Sequence, residues 1–567
     1  MPRVVAEWAE RDPTARTLVV DGSLLSADIS GFTALSERLA SIGREGAEEL
    51  TDLLNRCFDQ MIASAASYGG DVLKFGGDAL LILFDGDHHT VRACAAAVAM
   101  RAAIAQPLTS ARAGRVKLRM SQGIHAGDLA MFLVNGNHRE LVVTGPGATA
   151  TVECEAAANA GEIMLSRAAA RMVDPAWLGA ERPAGVILRR RAIPIEPELD
   201  LPTTAPGVDV AAFIPDAQRA QIAAGVYGEH RTATIAFVKF AHTDAVIEHE
   251  GMEAMADRLD AFAQLLTEAS NEHKVHWLAS DVYPDGGKAI LTAGVPSASG
   301  HDDDDMLHTL RALVDARPPV ELHIGVNRGA VFVGNLGSAT RRTFTVMGDA
   351  VNLAARLMQK AGADQIVASR AVLDRAESRF DAEELAPFFV KGKSQPIEAA
   401  SVGKLVRATR SGPDIDAAPF VGRVDELAKL DAALVAARRH EGRAIEVVGE
   451  PGMGKSRLLA EFLGHIDAPV IRISCGPYLR ATPYLALRPA LRTIASIAAD
   501  AGREEAGERL SAWVHDVAPD VVPWLPLLAI PFDATVETTP EADRISPEFR
   551  RARLQRALLD LLGVVVS

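Results

Sequence analysis

The chain has 567 residues, 48% of them hydrophobic and 23% charged, which suits about three or four ordinary globular domains. Its net charge of -15, from 59 basic and 74 acidic residues, argues against broad binding to nucleic acid or to anionic membrane, both of which need basic surface. The four cysteines are scattered with no CxxC pair, so a disulfide framework or a structural zinc is not expected and a reducing cytoplasm fits. The first residues, MPRVVAEWAERDP, lack the apolar core of a signal peptide. No run of about 18 apolar residues suggests a membrane span.

The first informative stretch is Leu24–Leu35, LLSADISGFTAL. A short apolar run bounded by a turn signal reads as a buried strand. It ends in Asp28, and Gly31, Phe32 and Thr33 then open a helix. A carboxylate there can hold a divalent cation, and free N–H groups at the helix start can hold a phosphate. Asp28 as a plain helix cap is the alternative. A long amphipathic helix is expected over Thr33–Tyr68, with Leu50, Leu53, Leu54, Phe58, Met61 and Ile62 at helical spacing. The hairpin VLKFGGDALLILF follows, with its turn expected at Gly76-Gly77. Asp78 stands at that turn. If the first strand lies beside the hairpin, Asp28 and Asp78 meet, and two carboxylates with substrate phosphates make a magnesium site. Asp78 as an ordinary turn residue is the competing reading. A second, alanine-rich helix is expected over Thr90–Gln106.

Two Pro-rich stretches divide the chain, one through Pro194, Pro197, Pro202 and Pro206, the other ending at Pro419. The segments before Pro419 read as two distant copies of one unit. Gly123–Gly127 matches Gly325–Gly329, an offset of 202 residues, and Gly145 matches Gly348. The earlier part aligns Lys239 with Asp28 and Lys288 with Asp78. A period this long means duplicated domains. Each copy has the order strand, helix, hairpin, helix, strand, helix, strand, which predicts an α/β (α+β) sheet of βαββαβ type with helices on one face. The acidic run His301–Asp305 reads as a solvated loop.

The rear copy carries FTVMGDAVNLAARLM, Phe344–Met358. Asn352 and Arg356 are four apart and share a helix face. An arginine there presents a permanently charged fork to phosphate oxygens. Polar pairs at this spacing are otherwise ordinary surface.

Taken together, LLSADISGFTAL, LKFGGDALL and FTVMGDAVNLAARL resemble the three core motifs of class III nucleotidyl cyclases. The tandem arrangement resembles the bicarbonate-responsive soluble adenylyl cyclases and their actinobacterial relatives. The resemblance covers roughly residues 1–402. It implies two ferredoxin-like domains, 1–185 and 226–402, joined by a linker at 186–225 and paired head to tail within one chain, so that a monomer suffices. It implies Asp28 and Asp78 as ligands of two Mg2+ or Mn2+ ions, assisted by the backbone of Ile29. It implies Asn352 on the ribose and Arg356 on the transition state. Thr345 matches the position that contacts the purine 6-substituent. Lys288 resembles a lysine that touches the purine ring. Lys391 and Lys393, in VKGKSQPI, resemble a late basic turn on the terminal phosphates. A solvated lysine is the alternative for all three.

The failures of the repeat point to a single site. The front copy has Thr149 opposite Asn352 and Glu153 opposite Arg356. The rear copy has Lys239 and Lys288 in place of the two carboxylates. Each copy lacks what the other supplies, so the symmetry-related pocket should be dead. In the soluble cyclases that pocket binds bicarbonate through a lysine, matched by Lys74, and an arginine, whose position falls on Val152. The expected reaction is conversion of ATP to 3′,5′-cyclic AMP and pyrophosphate. The alternatives are a non-catalytic ATP sensor that regulates the third module, and a guanylyl cyclase.

That third module, 419–567 after a linker at 403–418, opens with FVGRVDEL. An apolar run, Ala444–Val448, is expected to be a strand, followed by Gly449, Gly452, Gly454, Lys455 and Ser456 in a full GxxxxGK[ST] phosphate loop and a helix from Arg457. Lys455 would meet phosphates and Ser456 magnesium. The segment resembles the signal-transduction ATPase module that follows tandem cyclase domains in bacterial regulators. No acidic Walker-B strand is legible after it, so the module reads as a truncated P-loop α/β domain. It could carry contacts to protein partners.

Overall fold

The computed structural model describes all residues except 31–38, 40–43, 106–107, 111–113, 117, 198–209, 216–228, 297, 339–340, 390–395, 408–421, 449–454, 467–469, 471–472, 474–483, 485–486, 499–500 and 567. The chain divides into two units, Met1–Ala408 and Thr409–Ser567.

The first unit holds two eight-stranded sheets of the same topology. The front sheet is built from β1 (Thr17–Ser30), β2 (Asp71–Gly76), β3 (Ala79–Asp85), β4 (Arg119–Asn135), β5 (Arg139–Val143), β6 (Ile163–Leu165), β7 (Leu178–Arg182) and β8 (Gly185–Leu188). Their order is β2-β3-β1-β4-β6-β8-β7, with β5 paired to β4. The rear sheet repeats this with β9 (Glu229–Ala241), β10 (His276–Tyr283), β11 (Gly286–Ala293), β12 (Glu321–Gly337), β13 (Arg342–Met347), β14 (Gln365–Ser369), β15 (Arg379–Glu384) and β16 (Ala399–Arg407). Here the order is β10-β11-β9-β12-β14-β16-β15, with β13 on β12. The last strands run a little past the expected ends at 185 and 402, to Leu188 and Arg407.

Strand alternation sorts each sheet into two faces. On β1, Leu25, Ala27 and Ile29 join the core under helices α2 (Arg44–Ala66) and α3 (His89–Ile104). Leu24 faces the other way, so by the same alternation Ser26 and Asp28 do too. The long helix expected from Thr33 is described over Arg44–Ala66. The first helix of the chain, α1 (Arg3–Arg11), packs Val4, Val5 and Trp8 with Leu24. Helix α4 (Pro146–Ala157) crosses β4 where Gly123 leaves room: a Cβ there would lie 2.4 Å from Thr151 O. Its counterpart α7 (Asp349–Lys360) crosses β12 at Gly325 in the same manner, 2.4 Å from Ala354 O. Glycine is required at both crossings by close approach of the helix backbone.

The two copies are paired head to tail. The backbone N–H of Gly337, ending β12, donates to Asn55 of α2 at 3.2 Å. The N–H of Asn135, ending β4, donates at 3.2 Å to Asp260 of the rear long helix α5 (Met252–Glu272). One contact is the symmetry mate of the other. Phe332, Leu336 and Met347 of the rear copy enter the front core, and Phe132, Val134 and Val142 of the front copy enter the rear core.

Two expectations are corrected. His301–Asp305 is no solvated loop: Asp302–Asp305 form the first turn of α6 (Asp302–Asp315), and Asp303 and Asp304 are buried. Asp303 accepts from Thr234 (2.6 Å) and Arg328 (2.8 Å), and Asp304 accepts from the N–H groups of Glu377 and Ser378. Carboxylates in a first helical turn are favoured by its dipole, and these have partners that offset their burial.

The second unit's described elements are helical, including α8 (Val424–Ala437), α9 (Lys455–Gly464), α10 (Arg503–Val517), α11 (Leu525–Phe532) and α12 (Pro547–Val566). Leu510, Val514, Leu528, Phe532 and Leu561 form its core. Ala444–Val448 is not a strand, and Val448 is exposed. A strand of a parallel sheet needs neighbours to take its hydrogen bonds, and none is present among the described residues of this unit.

Candidate active site at the seam

Asp28 is the last residue of β1 to pair with β3, directly opposite Ala79, so Asp78 stands beside it; the N–H of Ile29 donates to the Asp78 carbonyl at 3.3 Å. The hairpin turn is Gly77-Asp78, with Gly76 still in β2, one residue later than expected. Gly77 has φ +72, the left-handed backbone that glycine adopts freely. Both carboxylates are half-buried and close enough to interact. Burial, and then the charge of Asp28, pushes the Asp78 carboxyl up to about 7. Asp28 is raised too, mainly by burial, while Lys288 and a hydrogen bond to Asp78 oppose the rise.

Two acidic groups that repel each other at a strand end are the donor set a hard divalent cation relieves. Together with substrate phosphates and the Ile29 backbone they fit such an ion. Among the described residues no cluster of three or more potential ligands occurs.

The rear copy closes over this pair. Lys288 lies within β11, opposite Lys239 on β9 and Asp281 on β10. Its Nζ is 2.9 Å from Asp281 Oδ2 and 5.7 Å from the Phe237 ring centre. The rear turn is Pro284-Asp285, so this hairpin reaches further than its front mate. Lys288 therefore matches Ala79, not Asp78: Asp28 pairs with Ala79 as Lys239 pairs with Lys288. Asp281 crosses the seam. A Cβ on Gly76 would lie 2.8 Å from its Oδ2. The sequence reading passed over Asp281, although the Pro-Asp-Gly turn signal at 284–286 would have set it opposite Lys288. It also passed over Glu155 on α4. Ser121, the neighbour of Asp28 across β4, donates to Glu155. Burial, and the charge of Asp28, push that carboxyl up to about 7.

Asn352 and Arg356 share one face of α7, Asn352 exposed and Arg356 half-buried. Thr345 is half-buried on β13 opposite Gly334. Phe32, Thr33, Lys391 and Lys393 lie outside the described residues, as do Gly449, Gly452 and Gly454. Lys455 and Ser456 open α9.

The symmetry-related end of the seam is shut. The Asp285 N–H donates to the Thr149 hydroxyl at 2.8 Å, and Thr144 meets Thr243 at 2.6 Å and the Gly286 carbonyl at 3.0 Å. Lys239 lies 5.0 Å from the Tyr283 ring centre.

Lys74 is not an open anion receptor. Its ammonium is bonded to Glu140 and to Ser280 Oγ (2.9 Å), and Glu140 also accepts from the Ser280 N–H (2.8 Å) and meets His138 at 3.0 Å. Burial alone would raise Glu140, yet Lys74 and His138 hold it far below the usual carboxylate range. Val152 packs against the apolar cluster around Leu24 and Trp8. An internal carboxylate already occupies the cation, so the bicarbonate role that the resemblance lends Lys74 finds no support.

Comparison with known proteins adds the following. Residues 20–183 and 301–400 match the adenylate and guanylate cyclase catalytic domain family, and residues 419–565 match the AAA ATPase domain family. Adenylate cyclase type 10 of Mus musculus is 23% identical over 409 residues, covering 63% of this chain and 24% of that protein. The Homo sapiens protein of the same name is 24% identical over 387 residues, 60% of this chain and 24% of that one. The chain thus spans about a quarter of the length of these relatives. Among solved structures, a class III adenylyl cyclase-like ATP-binding protein from Pseudomonas aeruginosa aligns with a TM-score of 0.47 and 14% identity, over 64% of this chain and 86% of that one. No described helix is long and apolar enough to cross a membrane.

Proposed function

We propose, from the premise that residues 20–183 and 301–400 belong to the adenylate and guanylate cyclase catalytic family, that this chain is an adenylyl cyclase. It converts ATP to 3′,5′-cyclic AMP and pyrophosphate at one site between its two copies. The observation that carries the reading is the meeting of Asp28 and Asp78 at the seam, with Lys288 and Asp281 reaching over from the other copy.

In this reading Asp28 and Asp78, with the Ile29 backbone, hold two Mg2+ or Mn2+ ions. When bound, such ions lower the pKa of the ribose 3′-hydroxyl and neutralise the phosphates. The 3′-oxygen attacks the α-phosphorus, its proton passes to solvent, and the bond to the β-phosphate oxygen breaks. Asn352 holds the ribose. Arg356 meets charge that develops on the α-phosphoryl oxygens, and charge met only in the transition state accelerates the step. Phe32 and Thr33 bind phosphates through their backbone, and Lys391 and Lys393 meet the terminal ones.

Thr345 and Lys288 read the purine. A hydroxyl both donates and accepts, so the preference for ATP over GTP rests on the relatives' names more than on chemistry. The head-to-tail pairing supports a site that needs only one chain. The match of residues 419–565 supports nucleotide binding by the third module through Gly449, Gly452, Gly454, Lys455 and Ser456. Three buried free thiols, Cys57, Cys94 and Cys154, agree with a reducing cytoplasm.

The test is product identification by mass spectrometry, with ATP and GTP offered separately in Mg2+ or Mn2+. Cyclic AMP is expected from the wild type and is expected to vanish in Asp28→Ala, Asp78→Ala and Arg356→Ala. Undiminished product in those variants would refute the site. Tight ATP binding without any cyclic product would make the chain a nucleotide sensor instead.

A further inference from the structure

A cavity of about 210 Å3 lies along the seam and touches neither Asp28 nor Asp78. Strands of both copies wall it, together with Val5 of α1 and Phe213 of the linker. Three guanidiniums line it. Arg139 opens β5 opposite Asn135, and Arg342 opens β13 opposite Gly337, so the two are mates in the repeat. Arg341 stands next to Arg342. Arg341 donates to the carbonyls of Val72 (3.3 Å) and Leu73 (3.4 Å), and Arg342 Nε donates to the Ser338 carbonyl at 3.0 Å. Arg139 Nε is buried and has no hydrogen-bond partner. Among the described residues no carboxylate forms an ion pair with any of the three. The carboxylate on the wall, Glu140, is already held by Lys74, His138 and Ser280. Arg139 lies 5.2 Å from the Phe213 ring centre and Arg341 lies 5.7 Å from that of Phe75, with Leu73, Leu278 and Phe344 buried around them. A guanidinium stacked on a ring keeps its edge N–H groups for an anion. Burial holds the Arg341 guanidinium below its ordinary range, with the charge of Asp71 opposing. Buried donors and cations normally have partners, and an entering anion would supply one.

We propose that this cavity binds a small carboxylate whose apolar body is about the size of one ring. The carboxylate meets the Arg139 fork, with the exposed Arg342 at the rim, and the body lies against Phe75 and Phe213. A cavity of about 150 Å3 takes benzene, so the larger volume here holds a ring and its carboxylate. Inorganic phosphate would satisfy the guanidiniums but leave the apolar wall uncovered. On one side β2 runs on to the turn that carries Asp78, and on the other β13 carries Thr345. An occupant therefore sits between elements of both copies and braces them against each other.

Binding to the full chain, without nucleotide or divalent cation, tests this. The probe is 4-fluorobenzoate, read by its fluorine NMR line width, with neutral 4-fluorobenzamide as the control. The carboxylate should bind roughly tenfold or more tightly than the amide, the size of a charge-assisted hydrogen bond. Arg139→Gln should weaken 4-fluorobenzoate by a similar factor. Arg342→Gln, at an exposed position, should weaken it by about threefold and keeps the test open if Arg139→Gln fails to fold. Inorganic phosphate should displace the probe only at a concentration roughly tenfold higher than benzoate needs. Any of four results would overturn the inference: no binding of 4-fluorobenzoate at millimolar concentration, equal binding of the amide, wild-type affinity in both arginine variants, or phosphate competing better than benzoate. Because neither substrate nor metal enters the experiment, its failure leaves the cyclase reading untouched.

Discussion

The two ends of the seam are built from the same elements and have opposite chemistry. At one end a strand pairing closes at Asp28, a tight turn supplies Asp78, and both carboxylates are raised by burial. At the other end the matching strand carries Lys239, the hairpin runs on to Pro284-Asp285, and Thr149 and Thr144 bond directly across the gap. Strained acidity marks the first end and satisfied hydrogen bonds the second. Buried groups normally find partners, so the end where two carboxylates share one turn and are both raised by burial is the one suited to binding something else.

The sharpest way to break this comparison is to remove charge from each end. Asp78→Ala should lower kcat by about a thousandfold or more, as loss of a ligand to ions that activate the nucleophile and neutralise the phosphates would. Glu153→Ala, the mate of Arg356 at the shut end, should leave kcat within roughly twofold, as exposed sites away from special features usually do. Steady-state assays of both variants decide it. Equal losses would mean that the ends are not functionally distinct.

The middle of the seam offers a larger effect on stability than either end. Lys74→Met strips Glu140 of its main cation while leaving it buried with Ser280 and His138. Removing one partner of a buried pair costs roughly 3–5 kcal/mol, and a urea titration should read that loss in the midpoint. Bicarbonate should change neither the wild-type rate nor the midpoint.

Much of this plan was legible beforehand. The duplication, the pairing of Asp28 with Asp78, and the mates of Asn352 and Arg356 follow from spacing, because strands and helices fix local geometry. Gly123 and Gly325 mark the same helix crossing in both copies. Three features were not legible. Lys288 slid by one position because the rear hairpin is longer, and matching GGK to GGD overlooks the Pro-Asp-Gly turn signal at 284–286. Asp281 and Glu140 carry no motif; Asp281 meets Lys288 only through the register of its own hairpin, and Glu140 meets Lys74 of its own copy and Ser280 across the seam. The strand expected at Ala444–Val448 failed because an apolar run becomes a strand only when neighbours supply its ladder.

A subtler contrast concerns stability at the acidic end. Asp78 has an ordinary value of 3.8 and is pushed up to about 7 in the fold. The folded chain therefore binds its proton more tightly than the unfolded chain does. That contribution to stability is fully present below an unfolded value of 3.8 and is lost as pH rises through about 7. Asp78→Asn removes the penalty. In chelator, at pH 8, its Tm should exceed the wild type's by roughly 3 °C, while below the unfolded value of 3.8 the two should melt together.

The smallest effect is expected where the shut end is most nearly neutral. Thr149 accepts from the Asp285 N–H at 2.8 Å, and Asp244 also bonds to it. Thr149→Val keeps the shape and removes both the acceptor for Asp285 and the hydroxyl donor to Asp244. One neutral and one carboxylate hydrogen bond contribute roughly 2–4 kcal/mol together, so Tm should fall by a few degrees, with kcat unchanged. Differential scanning calorimetry beside a rate measurement checks both halves. A gain in Mn2+ binding or a fall in kcat in this variant would mean that the shut end is held closed against a ligand, and that the two pockets compete.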